Sequence, residues 1–255
     1  MRVVCIGAGN VATHLSLAMR QAGLIIVQVY SRSEKNAVSL ANQLQTSLTT
    51  DLHKINKDAD LYIFSLKDDA LASVIAQIHP NNGCWIHTAG SIPMDIFNGY
   101  AKRYGVLYPL QTFSKNIFID FNKIPCFIEA NSSSDEELIC NITFRITTNV
   151  QTLTSEKRKY LHLAAVFACN FSNHMYTLAN KILEKQNISF ETILPLINET
   201  AAKIHSLTPM QAQTGPAIRY DQHVIQKHLD LLDNPDMQEI YQIISKNIHK
   251  IHTHE

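Results

Sequence analysis

Apolar runs of strand length alternate with stretches of helical spacing through the first half of the chain. Residues 2–6 form one such run, and residues 10–21 then place Val11, Leu15, Ala18 and Met19 on one face of a 3.6-residue period. Residues 24–30 are β-branched, 34–44 helical, 60–66 strand-like, 69–78 helical and 83–88 strand-like again. Further strand-like pieces follow at 106–110 and 125–129. Strands alternating with helices of about a dozen residues predict a parallel sheet wound with helices on both faces.

From Ser155 the period changes. Residues 155–185, 189–207, 220–232 and 236–249 read as helices, separated by Pro195, by Pro209, Gly215 and Pro216, and by Asn234-Pro235. Thr154 or Ser155 suits the cap of the first of them. Glycine follows the same division, since seven of the 8 lie at or before Gly105 and only Gly215 follows. Turns between strands and helices use glycine, whereas long helices avoid it. The expected fold class is α/β: a doubly wound domain over residues 1–152, then an all-α domain over residues 153–255.

Composition narrows the class. Of 255 residues 45% are hydrophobic, enough for a sizeable core, which excludes disordered and low-complexity chains. Lys plus Arg (22) balances Asp plus Glu (22), so neither nucleic acid nor an anionic membrane is expected as a partner. Cys5, Cys84, Cys126, Cys140 and Cys169 form no CxxC and no metal-ligand spacing. Their apolar surroundings predict buried free thiols in a reducing cytoplasm. Residues 160–180 lack charged side chains, but His162, Asn170, Asn173, His174 and Asn180 would be costly in a bilayer. His249, His252 and His254 have metal-like spacing at a chain end expected to stay solvated, so no metal is predicted.

Candidate chemistry begins after the first strand. Gly7-Ala8-Gly9-Asn10-Val11-Ala12 is GxGxxA and opens the first helix. In such a turn Gly7 permits the tight bend and Gly9 removes the Cβ that would block a pyrophosphate. Ala12 lets helix and strand pack closely, while the helix N-terminus offers free N–H groups to the anion. Strand, turn, helix and second strand fall in register, which predicts dinucleotide binding by a Rossmann-type domain. An NAD-binding unit usually ends its second strand in Asp or Glu, for the ribose 2′-hydroxyl. Here the strand ends Tyr30-Ser31-Arg32-Ser33. A guanidinium between two hydroxyls suits a 2′-phosphate, so NADP is expected in preference to NAD, a methyltransferase cofactor or a flavin; a merely solvated Arg32 is the alternative.

Other candidates stand at strand ends, where ligands of open α/β sheets bind. Ser65, Leu66 and Lys67 close the 60–66 strand and would flank the cofactor ribose, with Asp68 as a helix cap. Thr88, Ala89 and Ser91, in His87-Thr88-Ala89-Gly90-Ser91, would border the nicotinamide. His87 is an acid–base candidate because imidazole titrates near neutrality, with a hydrogen-bonded structural histidine as the alternative. Gln111 and Thr112, after Tyr108-Pro109-Leu110, either orient a substrate or satisfy loop backbone groups.

On a continuous α-helix His162, Asn170, Asn173, His174, Thr177 and Asn180 fall within about 120° of one another. Neutral hydrogen-bonders on an otherwise apolar helix suit a polar cleft or an amide-rich dimer interface. His162 or His174 would protonate the atom that receives hydride, with Asn170 or Asn173 holding the reacting group. Arg219 would clamp a substrate carboxylate or pair with Asp221, which would cap the following helix.

In order, these motifs are GxGxxA, Ser31-Arg32-Ser33, His87-Thr88-Ala89-Gly90-Ser91, Tyr108-Pro109-Leu110-Gln111-Thr112-Phe113, the run from His162 to His174, and Thr214-Gly215-Pro216-Ala217 with Arg219 and Asp221. Together they resemble, over essentially the whole chain, bacterial Rossmann-like NADP oxidoreductases with a helical C-terminal domain of unknown function. Broader relatives of that grouping are pyrroline-5-carboxylate reductase and the 6-phosphogluconate and 3-hydroxyacid dehydrogenases. The resemblance implies NADP, a small-molecule substrate with a carbonyl or imine group, and a homodimer built through the helical domain. The 3-hydroxyacid dehydrogenases carry a catalytic Lys and an Asn four residues on, whereas the nearest stripe here, His162, Val166 and Asn170, has no Lys. A cofactor-binding sensor or scaffold without turnover is the alternative from another class.

Overall fold

A computed structural model describes residues 1–253. The chain forms two compact units, Met1–Asn170 and Phe171–Glu255.

The first unit is built on an eight-stranded sheet. Its strands are β1 (Arg2–Ile6), β2 (Ile25–Tyr30), β3 (Ser47–Thr49), β4 (Leu61–Phe64), β5 (Cys84–His87), β6 (Tyr104–Pro109), β7 (Cys126–Ala130) and β8 (Val150–Thr152), in the order β3-β2-β1-β4-β5-β6-β7-β8. Helices α1 (Asn10–Gln21), α2 (Glu34–Leu44), α3 (Asp68–Ile75) and α4 (Ser133–Phe144) connect them. Alternate residues of β1 enter different cores, as a two-residue period requires. Val3 and Cys5 pack with residues of α1, α2 and α4, whereas Val4 and Ile6 pack with residues of α3 and with Trp85 and Phe97. The chain reverses direction across the sheet between β1 and β4, where such sheets bind ligands beyond the strand ends.

One expectation is corrected. The sheet is not parallel throughout, because β7 runs antiparallel to β6, with Pro109 opposite Cys126. The connection between them holds no crossover helix of α-length, only a short 3₁₀ turn at Phe121–Lys123, so the chain returns in the opposite sense. Strands β3 and β8 and helix α4 have no counterpart among the predicted elements. The start of α4 is nevertheless written in the chain, since the Ser132 hydroxyl accepts from the Asp135 N–H.

The run at 155–185 is interrupted. Helix α5 (Ser155–Ala165), capped by Thr154, passes into a π-turn at Val166–Phe171 and then into α6 (Ser172–Lys185). A π-turn breaks the 100° phase on which the continuous polar stripe was drawn. The first unit retains residues 153–170, so His162 and Asn170 belong to it. The second unit continues with α7 (Leu194–Lys203), α8 (Pro209–Ala212), α9 (Gln222–Leu231) and α10 (Pro235–Thr253). Among its described residues only Leu229 and Ser245 are buried.

All five cysteines are free; Cys5, Cys84 and Cys126 are buried, and desolvation pushes each thiol up to about 12. Contrary to expectation, Cys169 is exposed and Cys140 only partly covered. No helix among the described residues is long and apolar enough to cross a membrane. No metal-holding cluster exists among them, and His254 lies outside them.

Candidate dinucleotide and proton-transfer site

The turn after β1 separates what the fold requires from what a ligand requires. Gly7 has φ +120°, and a Cβ there would stand 2.2 Å from the Ser65 carbonyl oxygen, so packing alone demands glycine. Its N–H donates to the Tyr30 carbonyl at 2.8 Å, and the Ser65 N–H donates to Ile6 at 2.8 Å, which binds the turn to the ends of β2 and β4. Gly9 is different. Its φ of −83° suits any residue, and an added Cβ would meet nothing within 4 Å. Neither conformation nor packing explains that glycine, whereas an anion resting on the backbone does. Helix α1 has no side-chain cap and no acid in its first turn, and Ala12 is buried against the sheet as expected. Ala8 is buried, while Gly9 and Asn10 are exposed and Val11 half-buried.

Beyond β2, Ser31 is buried and its hydroxyl accepts from the Ser33 N–H at 3.2 Å. Ser33 in turn caps α2 by accepting from the Asn36 N–H. Arg32 is exposed and makes no ion pair among the described residues. On this evidence the residues present fit a dinucleotide with a 2′-phosphate. An added Cβ at Gly9 meets nothing within 4 Å, and Arg32 has no ion pair among the described residues, as a pyrophosphate on the backbone and a 2′-phosphate would require.

At the next strand ends the Thr88 hydroxyl donates to the Ser65 hydroxyl at 3.3 Å, joining the two predicted ribose and nicotinamide borders. Leu66 and Ala89 are half-buried and Lys67 is exposed. Lys67, not Asp68, occupies the cap position of α3, because Asp68 already lies in the first turn and accepts instead from the Ser91 hydroxyl.

His87 is not the acid–base group. It is fully buried beside Phe97, its Nδ1 accepts from the Ala89 N–H at 3.2 Å, and its Nε2 donates to the Pro93 carbonyl at 3.3 Å. Burial, with the Arg158 charge adding to it, lowers its pKa to about 3. A neutral, doubly bonded imidazole shapes the Thr88–Ser91 turn and has no nitrogen left for a substrate.

His162 stands in a different setting. Its Nδ1 lies 2.9 Å from the Tyr108 hydroxyl, with the rings edge to face at 5.9 Å. A Cβ on Gly90 would stand 2.6 Å from the imidazole, so the glycine of the 88–91 turn exists to admit this ring. Burial pushes the Tyr108 phenol up to about 12, so it keeps its proton, and its bond to Nδ1 leaves Nε2 for other partners, the direction of the bond following the protonation of the imidazole. Tyr108 escaped prediction, although a tyrosine at the end of a buried strand must find a partner for its hydroxyl.

A second group that sequence reasoning missed holds this pair in place. Arg158, only 1% exposed, donates to Glu129 at 2.7 Å and to the Ile92 carbonyl at 2.6 Å. The Ser155 hydroxyl donates to the same carboxylate at 2.6 Å, and its backbone N–H donates at 2.8 Å. The first turn of α5 is thereby pinned to β7 and to the segment after the 88–91 turn, one turn ahead of His162. The available signal was Glu129, a carboxylate inside the apolar strand Cys126–Ala130.

The remaining candidates are placed less tightly. Gln111 accepts from the Thr112 N–H at 2.7 Å, which is the loop-satisfying alternative. Asn170 is exposed in the first unit, and Asn173, His174 and Arg219 are exposed in the second. There His174 borders a groove of about 580 Å³ with Leu178, Lys181, Leu232 and Met237. Asp221 caps α9 as expected, but Arg219 forms no ion pair with it.

A glycine turn at the reversal point of the sheet, joined to a helical unit, defines a Rossmann-type protein of the two-domain kind. Residues 2–86 match the family "NADP oxidoreductase coenzyme F420-dependent", and residues 124–248 match a domain of unknown function, DUF2520. A Bacteroides fragilis protein provisionally named an NADP oxidoreductase is 49% identical, with 98% of each chain covered and a TM-score of 0.92. The chain belongs to the family that joins these two domains. At lower identity the fold is shared with 1-pyrroline-5-carboxylate reductase from Streptococcus pyogenes (14% identity, 99% and 98% covered, TM-score 0.62). It is shared too with an imine reductase from Myxococcus stipitatus in complex with NADP+ (15% identity, 100% and 93% covered, TM-score 0.65). No curated protein matches.

Proposed function

We propose that this protein is an NADP-dependent reductase that passes hydride between the nicotinamide and a small carbonyl or imine compound. The observation that carries the reading is Gly9, a glycine with open space above it and no conformational need, on the same sheet edge as an unpaired Arg32. Bound NADPH would supply the hydride. Gly7, Ala8, Gly9, Asn10 and Val11 hold its phosphates, and Ser31, Arg32 and Ser33 its 2′-phosphate. Ser65, Leu66, Lys67, Thr88 and Ala89 line its ribose and nicotinamide. His162, in its protonated form, gives the Nε2 proton to the oxygen or nitrogen that gains the hydride and is left as a neutral ring whose Nδ1–H bonds the Tyr108 oxygen. Asn170 and His174 are the further candidates for the chemical step; Ser91, Gln111, Thr112, Asn173 and Arg219 are candidates for holding the substrate. The names of the imine and pyrroline-5-carboxylate reductases support an imine as readily as a ketone.

A homodimer through the helical unit completes the proposal. Leu194, Leu196, Ile204, Leu207, Ile243 and Ile244 are all exposed in the single chain. A unit of this size with almost nothing buried lacks a core of its own, and a second copy supplies the missing apolar surface.

The test is NADPH consumption across a panel of keto and imino acids, beside calorimetry with NADPH. Turnover with any member supports the reductase. Tight binding with silence across the panel favours a sensor, and no heat with NADPH removes the cofactor assignment. Light scattering on the eluted protein that returns the mass of one chain removes the dimer.

A further inference from the structure

The connection between β6 and β7 is far longer than its geometry needs. Adjacent antiparallel strands close with roughly 2–5 residues, yet here Pro109 and Cys126 stand opposite one another with residues 110–125 between them. The excess chain is spent on a detour towards β1 and β2, although β4 and β5 separate β6 from β1. Asn10 Nδ2 donates to the Phe113 carbonyl at 2.8 Å, and His14 Nε2 donates to the Ser114 carbonyl at 3.0 Å. Phe113 lies 5.3 Å from the His14 ring and stacks on Phe121 at 6.1 Å. Lys115 Nζ then donates to Asn36 Oδ1 at 3.3 Å, in the first turn of α2.

Residues 113–115 therefore run from the phosphate turn to the turn beyond β2. Lys115 is exposed and, like Arg32, makes no ion pair among the described residues. Three cations without an ion pair among the described residues, Arg32, Lys35 and Lys115, border one turn, and the only acid in the first turn of α2, Glu34, pairs with none of them. Like charges gathered without a counter-ion repel, and a multiply charged anion between them reverses the sign.

We propose that residues 113–115 form a strap over the adenosine half of the cofactor and that Lys115 is the second cation for the 2′-phosphate, beside Arg32. This rests on the dinucleotide assignment above and adds a specificity-determining residue from a loop outside the GxGxxA unit. Only a ligand with a 2′-phosphate gains from it.

The experiment compares the full-length protein with Lys115→Gln by calorimetry against NADPH, NADH and adenosine 2′,5′-bisphosphate. Loss of one charge-assisted bond at an exposed site should weaken NADPH and the bisphosphate about tenfold while NADH changes less than about twofold. Lys115→Arg should recover most of the loss. An unchanged thermal midpoint shows that the variant is folded. Equal weakening of all three ligands, or none of any, overturns the role of Lys115 while leaving the cofactor assignment standing. A wild-type protein that binds none of the three overturns that assignment and the strap together.

Discussion

The hydroxyl of Tyr108, at the end of β6, sits 2.9 Å from Nδ1 of His162 on α5, 54 residues later. A phenol held well above the neutral range keeps its proton, and the bond fixes which imidazole nitrogen faces outward. Tyr108→Phe keeps the ring and removes the bond. Turnover should fall by roughly 10- to 100-fold while the dissociation constant for NADPH stays put. Steady-state kinetics and calorimetry on the same preparation check it. A parallel loss of cofactor affinity would mean that the tyrosine supports the fold rather than the histidine.

The two glycines of the phosphate turn should respond in opposite ways. Gly9→Ala has space and a permitted φ, so stability should change by less than about 0.5 kcal/mol while NADPH binding is lost. Gly7→Ala has neither, and should destabilise the first unit by several kcal/mol, on the order of 3. Urea unfolding beside calorimetry separates the pair.

Arg158 and Glu129 are both largely buried, at 1% and 13% side-chain exposure. Removing one partner strands the other charge away from water. Glu129→Gln should therefore cost about 3 kcal/mol or more, visible as a lower urea midpoint. If the midpoint holds, water is reaching the guanidinium.

His87 predicts an acid-side slope. Its folded pKa is about 3 against an ordinary value of 6.5, so below pH 6.5 the unfolded chain takes up a proton that the folded chain refuses. Stability should therefore fall as pH drops from 6.5 towards 3, by roughly 1.4 kcal/mol per pH unit from this one group. Above 6.5 the histidine contributes no slope. Comparing His87→Gln with wild type by chemical denaturation at pH 7 and pH 5 tests this: the difference between the two pH values should shrink in the variant.

What the chain declares by itself is local. The apolar run of β1, the helical period of α1 and α2, and the GxGxxA turn all act over a few residues, and their boundaries were legible almost to the residue. Short edge strands such as β3 and β8, three residues each, carry too little pattern to stand out. The interruption of the 155–185 run by a π-turn left no mark in its apolar spacing. The site divides on the same line. Gly7, Gly9 and Arg32 follow from turn and strand-end chemistry, whereas His87, His162 and His174 all stayed candidates for moving a proton.

Tertiary packing gives those histidines different surroundings. His87 closes on Phe97, Ala89 and Pro93 and is silenced, while His162 meets a tyrosine from another strand in a space that Gly90 leaves open. The pairing of Glu129 with Arg158 spans 29 residues and that of Asn36 with Lys115 spans 79. Periodicity reports which face of an element is buried, but not which distant side chain arrives against it. Only the folded sheet, by bringing separate strand ends to one edge, makes those partners neighbours.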